Sequence, residues 1–165
     1  MFFNSIVECK LSRHTVMAHI KEITMSIWKR VMDLSVLNAT SRNTLMEALN
    51  IEYCAYDDES ITASMPVTPT VHQPLGMLHG GASVALAESV ASIAANWCVD
   101  ESKYCVGLEI NANHIRAVRE GTVFATAKPL HLGATTQVWV IDIKDQRERL
   151  VCTSRFTVAV MKRKK

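Results

Sequence analysis

From Gly80 to Cys98 the chain runs for about 18 residues without proline, rich in alanine, in "GGASVALAESVASIAANWC". That length and composition suit a helix better than a strand. Apolar residues lie on nearly all its sides, so it must be covered on most of them by other elements. The remainder of the chain reads as strand after strand: "KYCVGLEINANHI", "GTVFATAKPLHLG", "TTQVWVIDIKD" and "RLVCTSRFTVAVM". These are parted by Arg119-Glu120-Gly121, Gly133-Ala134 and Gln146-Arg147-Glu148. Val138, Val140 and Ile143, then Leu150, Cys152, Phe156, Val158 and Val160, keep to strand-like patterns. No second long helix is present to make crossovers, which implies an antiparallel sheet in an α+β chain.

Upstream, "IEYCAYDDESITASMPV" places two apolar runs around Asp57-Asp58-Glu59-Ser60, with Ile61, Ala63 and Met65 alternating against Thr62 and Ser64. That is a hairpin signature. In "TPTVHQPLGML", Pro69, Pro74 and Gly76 forbid a regular helix or a central strand, so a loop is expected. Short helices are expected over 33–38 and 43–49, with Asp33 and Asn43 as candidate caps. Residues 1–24 show no clear period and precede "MSIWKR", itself a natural start. We expect a poorly ordered extension over 1–24, one domain over 25–161, and a basic tail over 162–165.

At 165 residues, 48% hydrophobic and 21% charged, the chain has the size and balance of one globular domain. Its formal charge of +2 rests on 18 basic against 16 acidic residues, and the final Lys162-Arg163-Lys164-Lys165 outweighs that excess. The basicity is therefore terminal, and no nucleic-acid partner is expected. Five cysteines without a C-x-x-C pair, and no recognisable secretory signal, suggest reduced thiols and a cytoplasmic protein. The longest apolar stretch falls far short of the roughly 20 residues of a membrane span.

Glu88, Ser92 and Asn96 are spaced four apart, so they share one face of the helix, flanked by Ala85, Ala91 and Ala95. Such a stripe is either an internal hydrogen-bonded network, a surface face, or a chemical device. No Lys or Arg within the helix pairs with Glu88, and the small neighbours leave space beside it. The helix begins at His79-Gly80-Gly81, where unpaired N–H groups and the positive end of the macrodipole suit an anion or oxyanion. The glycines equally suit a tight turn. Gly80 and Glu88 are separated by ~12 Å of helix rise, too far to act on one carbonyl. Two copies of the helix, antiparallel about a twofold axis, would bring the N-terminus of one to the Glu88 face of the other.

"QPLGMLHGGASVALAES", "GLEINANHIRAVREG" and "KPLHLG" together resemble the hotdog-fold acyl-CoA thioesterases over about residues 25–160. The resemblance implies an antiparallel sheet of about six strands wrapped around one long central helix, a homodimer joined sheet edge to sheet edge, and usually a homotetramer. It implies Glu88 as the catalytic carboxylate, nucleophile or general base, and Gly80 N–H as the group that polarises the thioester carbonyl. Gln73 would contact the reacting thioester, His79 would support positioning or the leaving group, and Ser92 would orient the carboxylate or its water. Gln73, His79 and Gly80 would come from one subunit, Glu88 and Ser92 from the other. For the phosphates of coenzyme A it suggests His114, Arg116, Lys128, His131 and Gly133, with Arg119 a further cation near the mouth. No cofactor is implied.

A thioester has a good leaving group, so a placed carboxylate and an oxyanion donor suffice, without a metal. The six histidines show no metal-ligand spacing. "HGG" occurs in lipase oxyanion loops, but G-x-S-x-G is absent, as is any G-x-x-x-x-G-K loop for ATP. Ser83 and Cys98 lack a local base. The expected activity is hydrolysis of an acyl- or aroyl-CoA, with 1,4-dihydroxy-2-naphthoyl-CoA of menaquinone synthesis the named expectation. Two alternatives are clearance of a misacylated carrier protein and a non-catalytic acyl-CoA-binding module.

Overall fold

A computed structural model describes residues 26–164; the extension expected over 1–24 lies outside them. Two short helices, α1 (Leu34–Thr40) and α2 (Leu45–Ala48), precede the hairpin β1 (Glu52–Tyr56) and β2 (Ile61–Pro66). A 3-10 turn (Pro69–Val71) leads to a small hairpin, β3 (His72–Gln73) and β4 (Met77–Leu78), and then to the long helix α3 (Gly80–Trp97). Four long strands follow: β5 (Lys103–His114), β6 (Thr122–Leu132), β7 (Thr136–Asp145) and β8 (Leu150–Lys162). The six principal strands form one sheet in the order β1-β2-β6-β7-β8-β5, antiparallel at every pairing.

Helix α3 packs on β2, β5, β6, β7 and β8, as its apolar circumference demands. Leu86, Ala87, Val90, Ala91, Ala94 and Ala95 are fully buried, in one cluster with Trp139, Ile141 and Phe156. Alanines on the helix leave room for the large rings of β7 and β8, so the sheet can close on it. One of the C-terminal carbonyls of α3, which lack helical partners, is met by the bend at residues 29–30. Lys29 N–H donates to Trp97 C=O at 2.8 Å, and Trp97 Nε1 returns a bond to Val31 C=O at 3.2 Å. Arg30 stacks over the Trp97 ring, 5.5 Å from its centre. No helix of the described residues is long and apolar enough to cross a membrane.

Three local expectations are corrected, and the inward face of β7 is added to them. Asp33 caps α1 as expected, but α2 is capped by Thr44, because Asn43 takes a left-handed φ of 58°; its N–H instead donates to Glu47 Oε2 at 2.6 Å. The segment 68–78 is more regular than a loop, since His72 pairs with Leu78 and Gln73 with Met77. On β7 the inward residues are Gln137, Trp139, Ile141 and Ile143, with Val138 and Val140 on the outer face. Burying Gln137 is tolerable because Trp139 Nε1 donates to its Oε1 at 3.0 Å. The basic run is not wholly a tail: Lys162 pairs with Lys103, Arg163 N–H donates to Ser102 C=O at 2.8 Å, and its guanidinium lies over Tyr104.

Candidate active site

His79 is the N-cap of α3. Its Nδ1 accepts from Gly81 N–H at 2.8 Å, a side-chain cap on the first turn. His79 C=O takes the N–H groups of Ala82 and Ser83 at 3.0 and 3.2 Å. Among the described residues, Gly80 N–H is the donor of the first turn left without a partner. It sits at the positive end of an 18-residue helix. Glycine is needed there for close approach, since a Cβ on residue 80 would stand 2.7 Å from His114 Nε2.

Gln73 reaches the same place from β3. Its Oε1 accepts from Leu75 N–H at 2.6 Å and its C=O from Gly76 N–H at 2.9 Å. That occupies the acceptor end of the amide and leaves the Nε2 hydrogens as the available donors. A cleft of about 310 Å³ is lined by Gln73, Met77, Gly80, Ser83, His114 and Arg116, among others. Gln73 and Gly80, each with an available donor, therefore line one space at the N-terminus of α3 together with three further polar or cationic residues, Ser83, His114 and Arg116.

Glu88 does not line that cleft. It is half-buried two turns along α3, and its Oε1 packs against Gly107 of β5, beside the Phe156 ring. Because His114, at the far end of β5, is what lies against Gly80, one chain keeps Glu88 and the cleft apart. Strand β5 is an edge of the sheet. A bulge between Gly107 and Glu109 leaves Leu108 out of register and 63% exposed, and Val106 is 43% exposed. Glu88 thus lies behind an apolar strand edge that is unpaired among the described residues.

The polar stripe divides. Asn96 is tied into the fold: it accepts from Cys105 N–H at 2.9 Å and donates to Cys105 C=O at 3.2 Å and Ser92 C=O at 2.9 Å. The internal-network explanation holds for this residue. Ser92, half-buried one turn beyond Glu88, makes no side-chain hydrogen bond among the described residues. Burial pushes the Cys98 thiol up to about 12 and raises those of Cys105 and Cys152, so all three stay neutral and poorly nucleophilic.

The cation residues also divide. His114 and Arg116 line the cleft. Lys128, His131 and Gly133 do not, because the pairings His114 with Cys152, Cys152 with Ile143, and Val123 with Asp145 set the start of β6 beside the cleft and its end far away. There Lys128 pairs with Glu59 at 3.4 Å, and the His131 ring folds against Gly133. Arg119 is committed elsewhere, donating from Nη1 to Leu75 C=O at 3.0 Å and Gly76 C=O at 3.2 Å. Gly107, against which Glu88 packs, was not singled out from the sequence. The isolated glycine in "CVGLEI" was the available signal, since a glycine inside a strand marks a bulge or a close approach.

A model of the Thioesterase superfamily matches residues 75–152. The chain is 50% identical over 135 residues to the proofreading thioesterase EntH of Cronobacter turicensis, covering 82% of this chain and 98% of that one. It is 48% identical over 135 residues to the 1,4-dihydroxy-2-naphthoyl-CoA hydrolase of Escherichia coli, covering 82% and 99%. The crystal structure of a variant of thioesterase PA1618 from Pseudomonas aeruginosa superposes with a TM-score of 0.82 at 50% identity, covering 84% of this chain and all of that one.

Proposed function

The chain belongs to the thioesterase superfamily of hotdog hydrolases, and we propose that it cleaves an acyl- or aroyl-coenzyme A thioester in a site shared by two subunits. The Gly80 N–H, without a partner among the described residues, on a cleft that Gln73 also lines, carries this reading. Both donate to the thioester oxygen, and as the carbonyl carbon becomes tetrahedral these bonds strengthen on the developing oxyanion. Glu88 of a second copy supplies the carboxylate. It either attacks the carbon, forming an anhydride that water then opens, or takes a proton from the water that attacks. In each case the C–S bond breaks and coenzyme A leaves as its thiol. Ser92 orients the carboxylate, and His79 keeps the helix entry in place through its cap on Gly81.

The exposed β5 edge supports the second copy. An antiparallel pairing of two β5 strands centred near Ile110 sets Gly107 of one chain opposite His114 of the other, which carries Glu88 toward the partner's Gly80. His114 and Arg116 take the phosphates at the mouth. Lys128, His131 and Gly133 lie too far along their own chain and serve only from another copy, as in a homotetramer. Free thiols at Cys54, Cys98, Cys105 and Cys152 suit a reducing cytoplasm.

For cargo we propose an aromatic acyl group, 1,4-dihydroxy-2-naphthoyl-CoA being the first compound to try, on the strength of the relative that bears that name. The equally similar proofreading relative favours a carrier-protein thioester as the second reading. A panel of CoA and carrier-protein thioesters decides between them by kcat/KM. Glu88→Ala should lose at least a hundredfold in kcat on the preferred substrate; unchanged turnover would overturn the mechanism. Impaired Glu88→Ala and Gln73→Ala chains, each with low residual turnover, should recover activity above either parent when mixed, and no recovery after verified subunit exchange would refute the shared site.

A further inference from the structure

We infer that Arg119 is a positioning residue for the hydrolysis, holding the Gln73 amide toward the thioester by gripping the turn that carries it. The inference rests on the role given to Gln73 above. Its observation is a closed set of four bonds. Leu75 and Gly76 donate their N–H groups to Gln73, one to the side-chain oxygen at 2.6 Å and one to the main-chain carbonyl at 2.9 Å. The carbonyls of those same two residues accept from Arg119 Nη1, at 3.0 and 3.2 Å. The guanidinium therefore grips the Leu75–Gly76 peptide unit, whose N–H bonds to the Gln73 carbonyl, and the Gly76–Met77 unit after it, one step along the chain from the N–H that holds the Gln73 side chain.

Nothing else performs this task among the described residues. Leu75, at the tip, is 72% exposed, and Gly76 turns the chain at a φ of 70°, so beyond the hairpin's own turn bond no packing restrains the tip. No other side chain bonds to residues 74–76. The base of the hairpin is independently anchored, by Leu78 N–H on Val118 C=O at 2.7 Å and His79 N–H on Val71 C=O at 2.8 Å. Removing the guanidinium thus frees the tip without releasing β4 or the start of α3. If the tip moves, Gln73 Oε1 loses its fixed donor and the amide can rotate, placing an acceptor where the thioester oxygen needs a donor.

The test is a mutant cycle of Arg119→Met, which keeps the chain length and removes every donor, with Gln73→Ala. Arg119→Met should lower kcat about tenfold, below the hundredfold that a misplacement of about 1 Å can cost, with KM changed less than about twofold and the unfolding midpoint near that of the parent. In the Gln73→Ala background the same change should add nothing. Arg119→Lys, which restores one charge and its donors, should recover part of the loss. A readout independent of turnover is the nitrogen–proton signal of the Gln73 side-chain amide, expected to shift or broaden in Arg119→Met. Equal losses in both backgrounds, or an unmoved amide signal, would overturn the positioning role and leave Gln73 in place. Full activity of Gln73→Ala itself would instead remove Gln73 from the mechanism, and Arg119 with it.

Discussion

Glu88 and Gly107 are packed so closely that a methyl group on the glycine would stand 3.2 Å from Glu88 Oε1. The same methyl would stand 2.9 Å from Phe156 Cζ, whose ring is almost fully buried and cannot easily yield. Gly107→Ala should therefore cost about 1–3 kcal/mol as an overpacked site and displace the carboxylate. Steady-state kinetics should show a fall in kcat larger than in the more conservative change Val106→Ala on the exposed edge.

Gly80→Ala separates approach from folding. The backbone at residue 80 is helical, so alanine is tolerated and stability should stay level or rise slightly. The new methyl must push the exposed His114 ring aside, and it narrows access to the N–H of residue 80. Activity should drop at least tenfold while the melting temperature holds. A variant that loses both together would show that the glycine serves the fold.

Asn96 and Ser92 share a stripe yet should respond oppositely. Asn96→Ala leaves Cys105 N–H and C=O without their partner and should destabilise by about 1–3 kcal/mol, with kcat little changed in the folded fraction. Ser92→Ala should leave chemical unfolding unaltered and lower kcat. Denaturant titration beside an activity assay distinguishes them.

Acid stability should depend on the turn between β7 and β8. The Arg149 side chain, donating from Nε to Asp145 Oδ2 at 2.8 Å, holds the Asp145 carboxyl down at about 2, helped by the N–H groups of Arg147 and Arg149. A folded value below the unfolded 3.8 means that the stabilisation is complete above that value and is lost as pH falls toward about 2. The difference in melting temperature between the parent and Asp145→Asn should be constant above about pH 5 and shrink below about pH 4. A constant difference down to pH 2, by calorimetry, would contradict the assignment.

The elements were legible because hydrophobic period is local. An apolar helix without proline and alternating strands declare themselves within a few residues of chain. Caps were less so: Asn43 and Thr44 can both cap, and the left-handed φ of Asn43 decides for Thr44. The inward face of β7 was not legible, because Gln137 looks like a surface residue until Trp139 is seen to satisfy it. Glu88, Gln73 and Gly80 could be named from residue type, spacing and resemblance. Arg119 could not be distinguished from any exposed arginine, because what it does depends on a turn 43 residues away.

What the sequence determined by itself was the chemistry at hand: one isolated carboxylate on an apolar helix, glycines at the start of that helix, and a separation between them that no single helix can bridge. What only the tertiary structure decided was which side chains share a space. It joined Gln73, Gly80, His114 and Arg116 in one cleft, set Glu88 behind the β5 edge, turned Asn96 into a tie between helix and strand, and sent Lys128, His131 and Gly133 to the other end of the sheet. The reason is physical. Residue type and helical or strand period are set by neighbours along the chain, whereas strand order and register are set by burying the whole of α3 at once, and these alone fix which distant residues meet.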